Sequence, residues 1–324
     1  MDPFDDLLRG VRADGAIFGR SVLTPPWALR FADEASLTLC VPLRGEGWIV
    51  GEGGGEPRRL RTGEAAIVRG PEPFVFSTEP PRAGSPVRDV RGGRVPGDGG
   101  GPGDHGVDLA GPTVLLAGAY HMRGQVPRRL LRVLPPLLLV PDEHDCAAMT
   151  DYLEAQLIGA RPGRQVVLDR LLDWLLVCTL RDWFDRPEAV RPGWYHALGD
   201  DVVGPVLRAM HEFHGRPWTL ASLAAESGVS RTTLAKRFTE LVGEPPLAYL
   251  TEWRMALAAD MLADSAETVA AVARRVGYAD AFGFSAAFKR VQGMSPSGYR
   301  RHRESLREAP ARSSGPGDGR SASG

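Results

Sequence analysis

The C-terminal third of the chain contains one segment twice, and this repeat limits the fold more than any other feature of the sequence. The run from Thr219 to Gly228 (TLASLAAESG) is echoed by the run from Thr268 to Gly277 (TVAAVARRVG). The echo continues beyond the glycines with one inserted residue, so that Ser230, Leu234, Phe238, Leu241 and Gly243 recur as Asp280, Phe284, Phe288, Val291 and Gly293. Two copies of one supersecondary unit are therefore predicted.

Each copy predicts a helix, a tight turn and a second helix. In the first copy Leu220, Leu223 and Ala224 are apolar at helical spacing, Gly228 supplies the turn, and Ser230 can cap the next helix. This is the layout of a helix-turn-helix, whose second helix enters the DNA major groove. A plain pair of packed helices is the alternative, and two copies in register favour the DNA-binding interpretation.

The region from Val202 to Arg303 contains a series of short motifs: Trp218-Thr-Leu, Gly228-Val-Ser-Arg, Lys236-Arg-Phe, Gly243-Glu-Pro-Pro, Trp253-Arg-Met, Val276-Gly-Tyr278, Phe288-Lys-Arg290 and Gly293-Met-Ser-Pro-Ser-Gly-Tyr-Arg300. With these motifs the region resembles the AraC/XylS family of bacterial transcription regulators. It implies two helix-turn-helix units joined by a long helix, each reading an adjacent major groove of double-stranded DNA. A helix from Pro246 to Leu262 would span roughly 25 Å, which suits two grooves about one turn apart.

The first reading helix offers polar side chains on the face opposite its apolar stripe. Arg231, Thr232, Thr233 and Lys236 are predicted to meet DNA, with Lys236 donating to guanine O6 and N7. Arg237 is predicted to contact phosphate. The alternative is that these side chains form only a solvated face.

The second reading helix departs from the family pattern, since many relatives carry an Arg where Ala286 stands. We expect Lys289 and Arg290 to contact phosphate and Phe282 to touch thymine methyl groups, with Ser285 at the border of the same face. Most of the base discrimination is then expected from the first unit.

Composition and charge fit a cytoplasmic protein of 324 residues. The net charge of −1 does not indicate a nucleic-acid partner, but residues 216–304 carry a local surplus of three positive charges. No uninterrupted apolar run reaches membrane-spanning length, and the first residues lack the basic region and apolar core that are typical of a signal peptide. The cysteines Cys40, Cys146 and Cys178 are far apart, as expected in a reducing compartment, and a redox-sensing role is left open for each of them.

The segment from Ser21 to Met122 has short β-type runs separated by glycine and proline, which predicts a sandwich or small barrel. Leu60-Arg-Thr-Gly-Glu64, Ile67-Val68 and Pro71-Glu-Pro73 resemble a cupin barrel. Cupin enzymes hold a metal with His-x-His, Glu and a later His, and no His stands near Gly47 to Gly53. We therefore expect no metal, no cofactor and no catalytic role. His105, His121 and His144 are isolated.

A barrel without metal ligands can hold a small-molecule effector. Trp48, Phe74, Phe76 and Tyr120 are the candidates for lining its interior. The resemblance implies that helices between Ala147 and Phe184 form a homodimer, although packing on the barrel is an equal alternative. RNA polymerase is a further expected partner if the protein is an activator.

The predicted fold class is a multidomain α+β protein. Its predicted parts are a cupin-like effector domain (1–140), a helical dimerisation segment (141–185), a linker (186–199), a double helix-turn-helix domain (200–304) and a disordered tail (305–324). The leading hypothesis is a sequence-specific transcription regulator controlled by an effector or redox signal. The alternatives are a cupin-type enzyme with an appended helical domain and a structural adaptor.

Overall fold

The computed structural model describes residues 2–9, 11–18, 26–51, 53–80, 87–90, 113–122, 124–141 and 162–308. Several predicted features lie outside these ranges. They are His105, the segment that holds His144 and Cys146, and residues 309–324 of the predicted tail.

The described part of the N-terminal half forms two five-stranded sheets. The strands are β1 (Ala13–Phe18), β2 (Ala28–Phe31), β3 (Leu37–Arg44), β4 (Glu46–Gly51), β5 (Arg58–Arg61), β6 (Glu64–Arg69), β7 (Phe74–Ser77), β8 (Arg88–Val90), β9 (Val114–Tyr120) and β10 (Leu137–Pro141). The first sheet has the order β1-β9-β3-β6-β10 and the second has the order β5-β4-β7-β2-β8. The predicted β-rich domain of cupin type is confirmed.

The two faces of the first sheet pack against different partners, because side chains alternate along a strand. On β3, Leu37 and Leu39 face a cluster that includes the helices, whereas Cys40 faces the second sheet. We call the space between the sheets the sandwich interior; Leu29, Ile49 and other apolar side chains of both sheets fill it.

Within the described ranges, helices from the N-terminal half cover the outer face of the first sheet. They are α1 (Pro3–Leu8), α2 (Gln125–Leu131) and α3 (Arg164–Asp185). A broad apolar stripe of α3 packs here, with Leu172, Leu176 and Leu180 fully buried. Tyr120 on β9 donates its hydroxyl proton to the Leu172 carbonyl oxygen over 2.7 Å, which fastens α3 to the sheet.

The C-terminal half is helical. Its helices are α4 (Gly193–Ala197), α5 (Val203–Glu212), α6 (Leu220–Glu226), α7 (Arg231–Val242), α8 (Pro246–Asp264), α9 (Val269–Arg275), α10 (Ala281–Gln292) and α11 (Pro296–Glu308). None of the helices in the described ranges has the length and apolar character needed to cross a lipid bilayer.

Two local expectations differ from the structure. The predicted linker contains α4, whose Trp194 and Tyr195 pack against the ring of Phe4 in α1, so part of this segment is an ordered spacer. The predicted tail begins inside a helix, because α11 continues to Glu308. Proline and glycine near both segments obscured the helices in the sequence.

Candidate DNA-reading surface and its contacts with the N-terminal domain

The first helix-turn-helix unit consists of α6, a glycine turn and α7. Thr219 caps α6 through a reciprocal pair of hydrogen bonds with Ser222. Gly228 adopts a positive φ of 67°, which lets the chain turn without a side-chain clash. Ser230 then caps α7 by accepting from the Thr233 backbone N–H over 3.1 Å. The local sequence therefore fixes the start of both helices.

The buried face of α7 leaves its opposite face in solvent. Leu234 and Phe238 are fully buried against α5, α6 and α8. Arg231, Thr232 and Lys236 are exposed on the other side, at the N-terminal half of the helix. The side chain of Lys236 is 77% exposed, and its ammonium nitrogen lies 3.9 Å from the Glu240 carboxylate, a long contact that constrains it weakly.

Arg237, which is predicted to contact phosphate, already has a partner within the protein. Its guanidinium forms a bidentate ion pair with Asp200 at the turn before α5, with Nε and Nη2 donating over distances of 2.9 and 2.6 Å. The same contact, opposed by partial burial, lowers the pKa of Asp200 to about 2. Arg237 therefore links α7 to the rest of the first unit instead of standing free for phosphate.

The second unit repeats this construction with α9 and α10. Thr268 caps α9, Gly277 turns the chain with a positive φ of 84°, and the Asp280 carboxylate caps α10. Phe284 and Phe288 are fully buried, and Tyr278 and Tyr299 pack against them. All four aromatic residues therefore belong to the packing of the second unit.

The outward face of α10 carries few free hydrogen-bonding groups at its N-terminal end. Phe282 is 86% exposed. The Ser285 hydroxyl donates to the Ala281 carbonyl oxygen over 2.7 Å and so serves its own helix. Lys289 and Arg290 are exposed in the last turn. Cationic and apolar side chains thus occupy different ends of this face.

The long helix α8 packs on three partners. Tyr249 and Leu250 belong to the core of the first unit, while Met255, Ala259 and Leu262 belong to the core of the second. Trp253 and Ala256 are buried in the cluster that covers the first sheet of the N-terminal domain. One 19-residue helix, about 28 Å long, therefore contacts both helix-turn-helix units and the N-terminal domain.

A carboxylate of α8 caps a helix of the N-terminal domain. Asp260 accepts from the backbone N–H of Gln125 over 2.5 Å and from that of Val126 over 3.1 Å, at the start of α2. The helix has no capping side chain of its own, because its N-cap is Gly124. Burial raises the pKa of Asp260, and the two N–H donors oppose that rise.

A chain of hydrogen bonds joins α1 to the first unit. His211 of α5 lies between Asp6, 2.8 Å from its Nδ1, and the Tyr249 hydroxyl, 2.8 Å from its Nε2. Burial lowers the pKa of His211, against the raising effect of Asp6. With a neutral ring, Nδ1–H donates to Asp6 and Nε2 accepts from Tyr249, so all three groups are satisfied.

A second contact involves Arg129 of α2. Its guanidinium lies 5.7 Å from the centre of the Tyr249 ring and 3.8 Å from the Glu252 carboxylate. Sequence reasoning missed Asp260, His211 and Arg129. No local signal points to them, since their partners lie up to 205 positions away along the chain.

The residues predicted to line an effector site do not all meet. Phe74 and Phe76 are buried in the sandwich interior. Trp48 lies on the opposite face of β4 from the inward-facing Ile49, beside Arg59. Tyr120 lies on the outer face of the first sheet against α3. Of the four candidates, Trp48 and Tyr120 therefore do not line the sandwich interior, because strand alternation turns both outward.

A small cavity opens at one end of the sandwich interior. Phe31 and Phe74, stacked with ring centres 4.8 Å apart, line it together with Thr38. Asp33 and Glu72 contribute carboxylates to its wall. Within the described ranges, no three His, Cys, Asp or Glu side chains come together as a metal site.

Comparisons with known proteins agree with this architecture. A family model described as a cupin matches residues 2–185, and one described as a helix-turn-helix domain matches residues 223–302. An AraC-like transcription regulator of Streptomyces lividans is 32% identical over 309 residues, covering 93% of this chain and 99% of the relative. Another, of Streptomyces antibioticus, is 31% identical over 313 residues, with the same coverage.

Among solved structures, the DNA-binding domain of AdpA, determined in complex with a target DNA, is similar to the C-terminal part. It is 31% identical, with 34% of this chain and 97% of that chain covered, and the TM-score is 0.32.

Proposed function

Because the chain belongs to the AraC-like family of DNA-binding transcription regulators with a cupin N-terminal domain, we propose that it reads a bipartite operator with α7 and α10 in successive major grooves. The observation that carries this proposal is the pairing of two capped helices with exposed faces on one continuous helix, α8. A rigid connection of this length suits sites about one helical turn apart.

Base contacts are assigned mainly to the first unit. Arg231 and Lys236 are exposed cations, and Thr232 offers a hydroxyl and a methyl group on the same face. The Thr233 hydroxyl lies 2.8 Å from Ser230 Oγ, so Thr233 already stabilises the start of α7 in the free protein. Lys289 and Arg290 are assigned to phosphate, whereas Arg237 is given a structural role.

Selection of binding sites from random duplexes by the full chain tests the proposal. The expected product is a sequence with two short preferred segments, and binding that weakens steeply as salt rises. A single preferred segment, or no enrichment at all, would contradict reading by two units.

We propose a small-molecule effector in preference to a redox signal. Burial raises the pKa of the thiols of Cys40 and Cys178, and Asp182 adds to the effect at Cys178, so both are poorer nucleophiles than a free thiol. The effector would enter at the cavity beside Phe31, Thr38 and Phe74. A bound effector that shifts this end of the sandwich would change the population of conformations in which α2 and α8 are in contact.

We also propose a homodimer through the outward face of α3. Val167 and Trp174 are exposed there, and Leu171 and Cys178 continue the same stripe at helical spacing. Replacing Trp174 by glutamate is expected to convert dimer to monomer in analytical ultracentrifugation. Arg58→Glu, at an exposed position of β5 in the second sheet, is the control and should leave the dimer intact. A wild-type chain that stays monomeric at all concentrations would contradict the dimer.

The alternative of a cupin enzyme receives no support from these relatives. They are transcription regulators, and the match covers almost their full length. We propose that the protein acts in the cytoplasm on DNA and, if it activates, through contact with RNA polymerase.

A further inference from the structure

The most exposed large apolar side chain in the described part of the chain lies on the second reading helix. Phe282 is 86% exposed, at the second position of α10. A large apolar side chain that is exposed to water raises the free energy of the unbound protein. A partner that covers the side chain in a complex offsets this cost. This position therefore points to a contact with that partner.

The internal repeat gives the register of Phe282. Because Ser230 corresponds to Asp280, Phe282 corresponds to Thr232 and Ala286 corresponds to Lys236. Both counterparts lie on the exposed face of α7, in the helix half that approaches base edges in this class of motif. Phe282 and Ala286 thus occupy the base-reading positions of the second unit.

The polar groups around Phe282 already serve the helix itself. The Asp280 carboxylate accepts from the backbone N–H of Phe282 over 2.9 Å and from that of Gly283 over 2.7 Å. The Ser285 hydroxyl donates to the Ala281 carbonyl oxygen. Ala286, exposed one turn later, has no polar group. This end of α10 consequently presents an apolar surface to the groove.

The major groove offers one apolar feature, the methyl group at C5 of thymine. A methylated cytosine carries the same group at the same ring position. We infer that α10 recognises a 5-methylpyrimidine, thymine or 5-methylcytosine, through Phe282. This inference rests on the proposed function, in which α10 lies in the major groove.

The test uses the full chain and an operator obtained by selection. Each thymine of the second half-site is replaced in turn by deoxyuridine, which removes only the methyl group. The dissociation constant is then measured by fluorescence anisotropy for the wild type and for Phe282→Ala. At one thymine we expect the wild type to lose about fourfold in affinity, the effect of one buried methyl group. Phe282→Ala should show no loss at that position.

A second substitution isolates the methyl group on another base. With cytosine or 5-methylcytosine at the same position, the wild type should prefer the methylated base by a similar factor, and Phe282→Ala should not distinguish the two. Lys236→Ala, which alters only the first unit, should keep the methyl preference. Since Phe282 is exposed, its replacement should leave the melting temperature unchanged.

Two results would overturn the inference. One is a wild type whose affinity does not change when any methyl group of the second half-site is removed. This result includes the case in which Phe282→Ala weakens binding because the ring inserts between bases and does not contact a methyl group. The other is a methyl preference that survives in Phe282→Ala. If selection yields no bipartite operator, the proposed function itself fails, and that outcome is seen before any modified base is tested.

Discussion

Replacing Lys236 by alanine is expected to weaken binding to the selected operator by roughly tenfold or more, since a good contact to a guanine edge contributes about 1–3 kcal/mol. The ammonium group is exposed, lies on the face of α7 opposite Leu234 and Phe238, and has only a long contact to Glu240. The measurement is the dissociation constant for operator and for random duplex at the same salt concentration.

The comparison of the two duplexes separates base reading from general attraction. If Lys236 reads a base, the loss is confined to the operator and preference at one base pair relaxes. If it contacts only phosphate, both affinities fall together and the salt slope decreases by about one, which would contradict the assignment. Arg237→Ala is the matched control, because the guanidinium of this neighbouring residue pairs with Asp200. This variant should have a lower melting temperature and nearly the same preference for the operator as the wild type.

Replacing Asp260 by asparagine is expected to lower the free energy of unfolding by about 1–3 kcal/mol, the usual cost of leaving a buried polar group unsatisfied. Asparagine has nearly the same shape, but only one acceptor oxygen remains for the two N–H donors of Gln125 and Val126. Its amide nitrogen would point a donor at a donor. The start of α2 then loses its cap.

Calorimetry of the full chain measures both the loss of stability and the coupling between the two domains. We expect the main transition to move to lower temperature and to separate into two, since Asp260 of α8 caps α2 of the N-terminal domain. Asp264→Asn, an exposed position one turn later on the same helix, is the control. Equal shifts for the two variants would show that the capping contact does not couple the domains.

The sequence predicts the reading units well because their signals are local. Ser230 and Asp280 accept hydrogen bonds from backbone N–H groups no more than three residues ahead in the chain. Gly228 and Gly277 turn the chain at corresponding positions of the repeat. The apolar spacing of Leu234 and its counterparts assigns one face to the core. The exposed face follows by exclusion, which is why the candidate DNA contacts on α7 and α10 are found in solvent.

The contacts between domains cannot be predicted in this way. Asp260 and Gln125 are 135 positions apart, and His211 and Asp6 are 205 apart, so no local pattern joins them. Whether Trp48 and Tyr120 point inward or outward depends on which face of each sheet packs against the other sheet. Tertiary packing determines this, not the local sequence. Arg237 carries the sequence signature of a phosphate ligand, and only the position of Asp200 in the fold explains its ion pair.

The most direct test of the central claim, that one chain reads DNA with two units held at a fixed distance by α8, is a change in operator spacing. Five base pairs inserted between the selected half-sites turn the second groove to the opposite face of the duplex, and ten restore the face but lengthen the distance by about 34 Å. We predict that both insertions reduce the affinity of the full chain to that of a single half-site. Unchanged affinity with either insertion would contradict the claim.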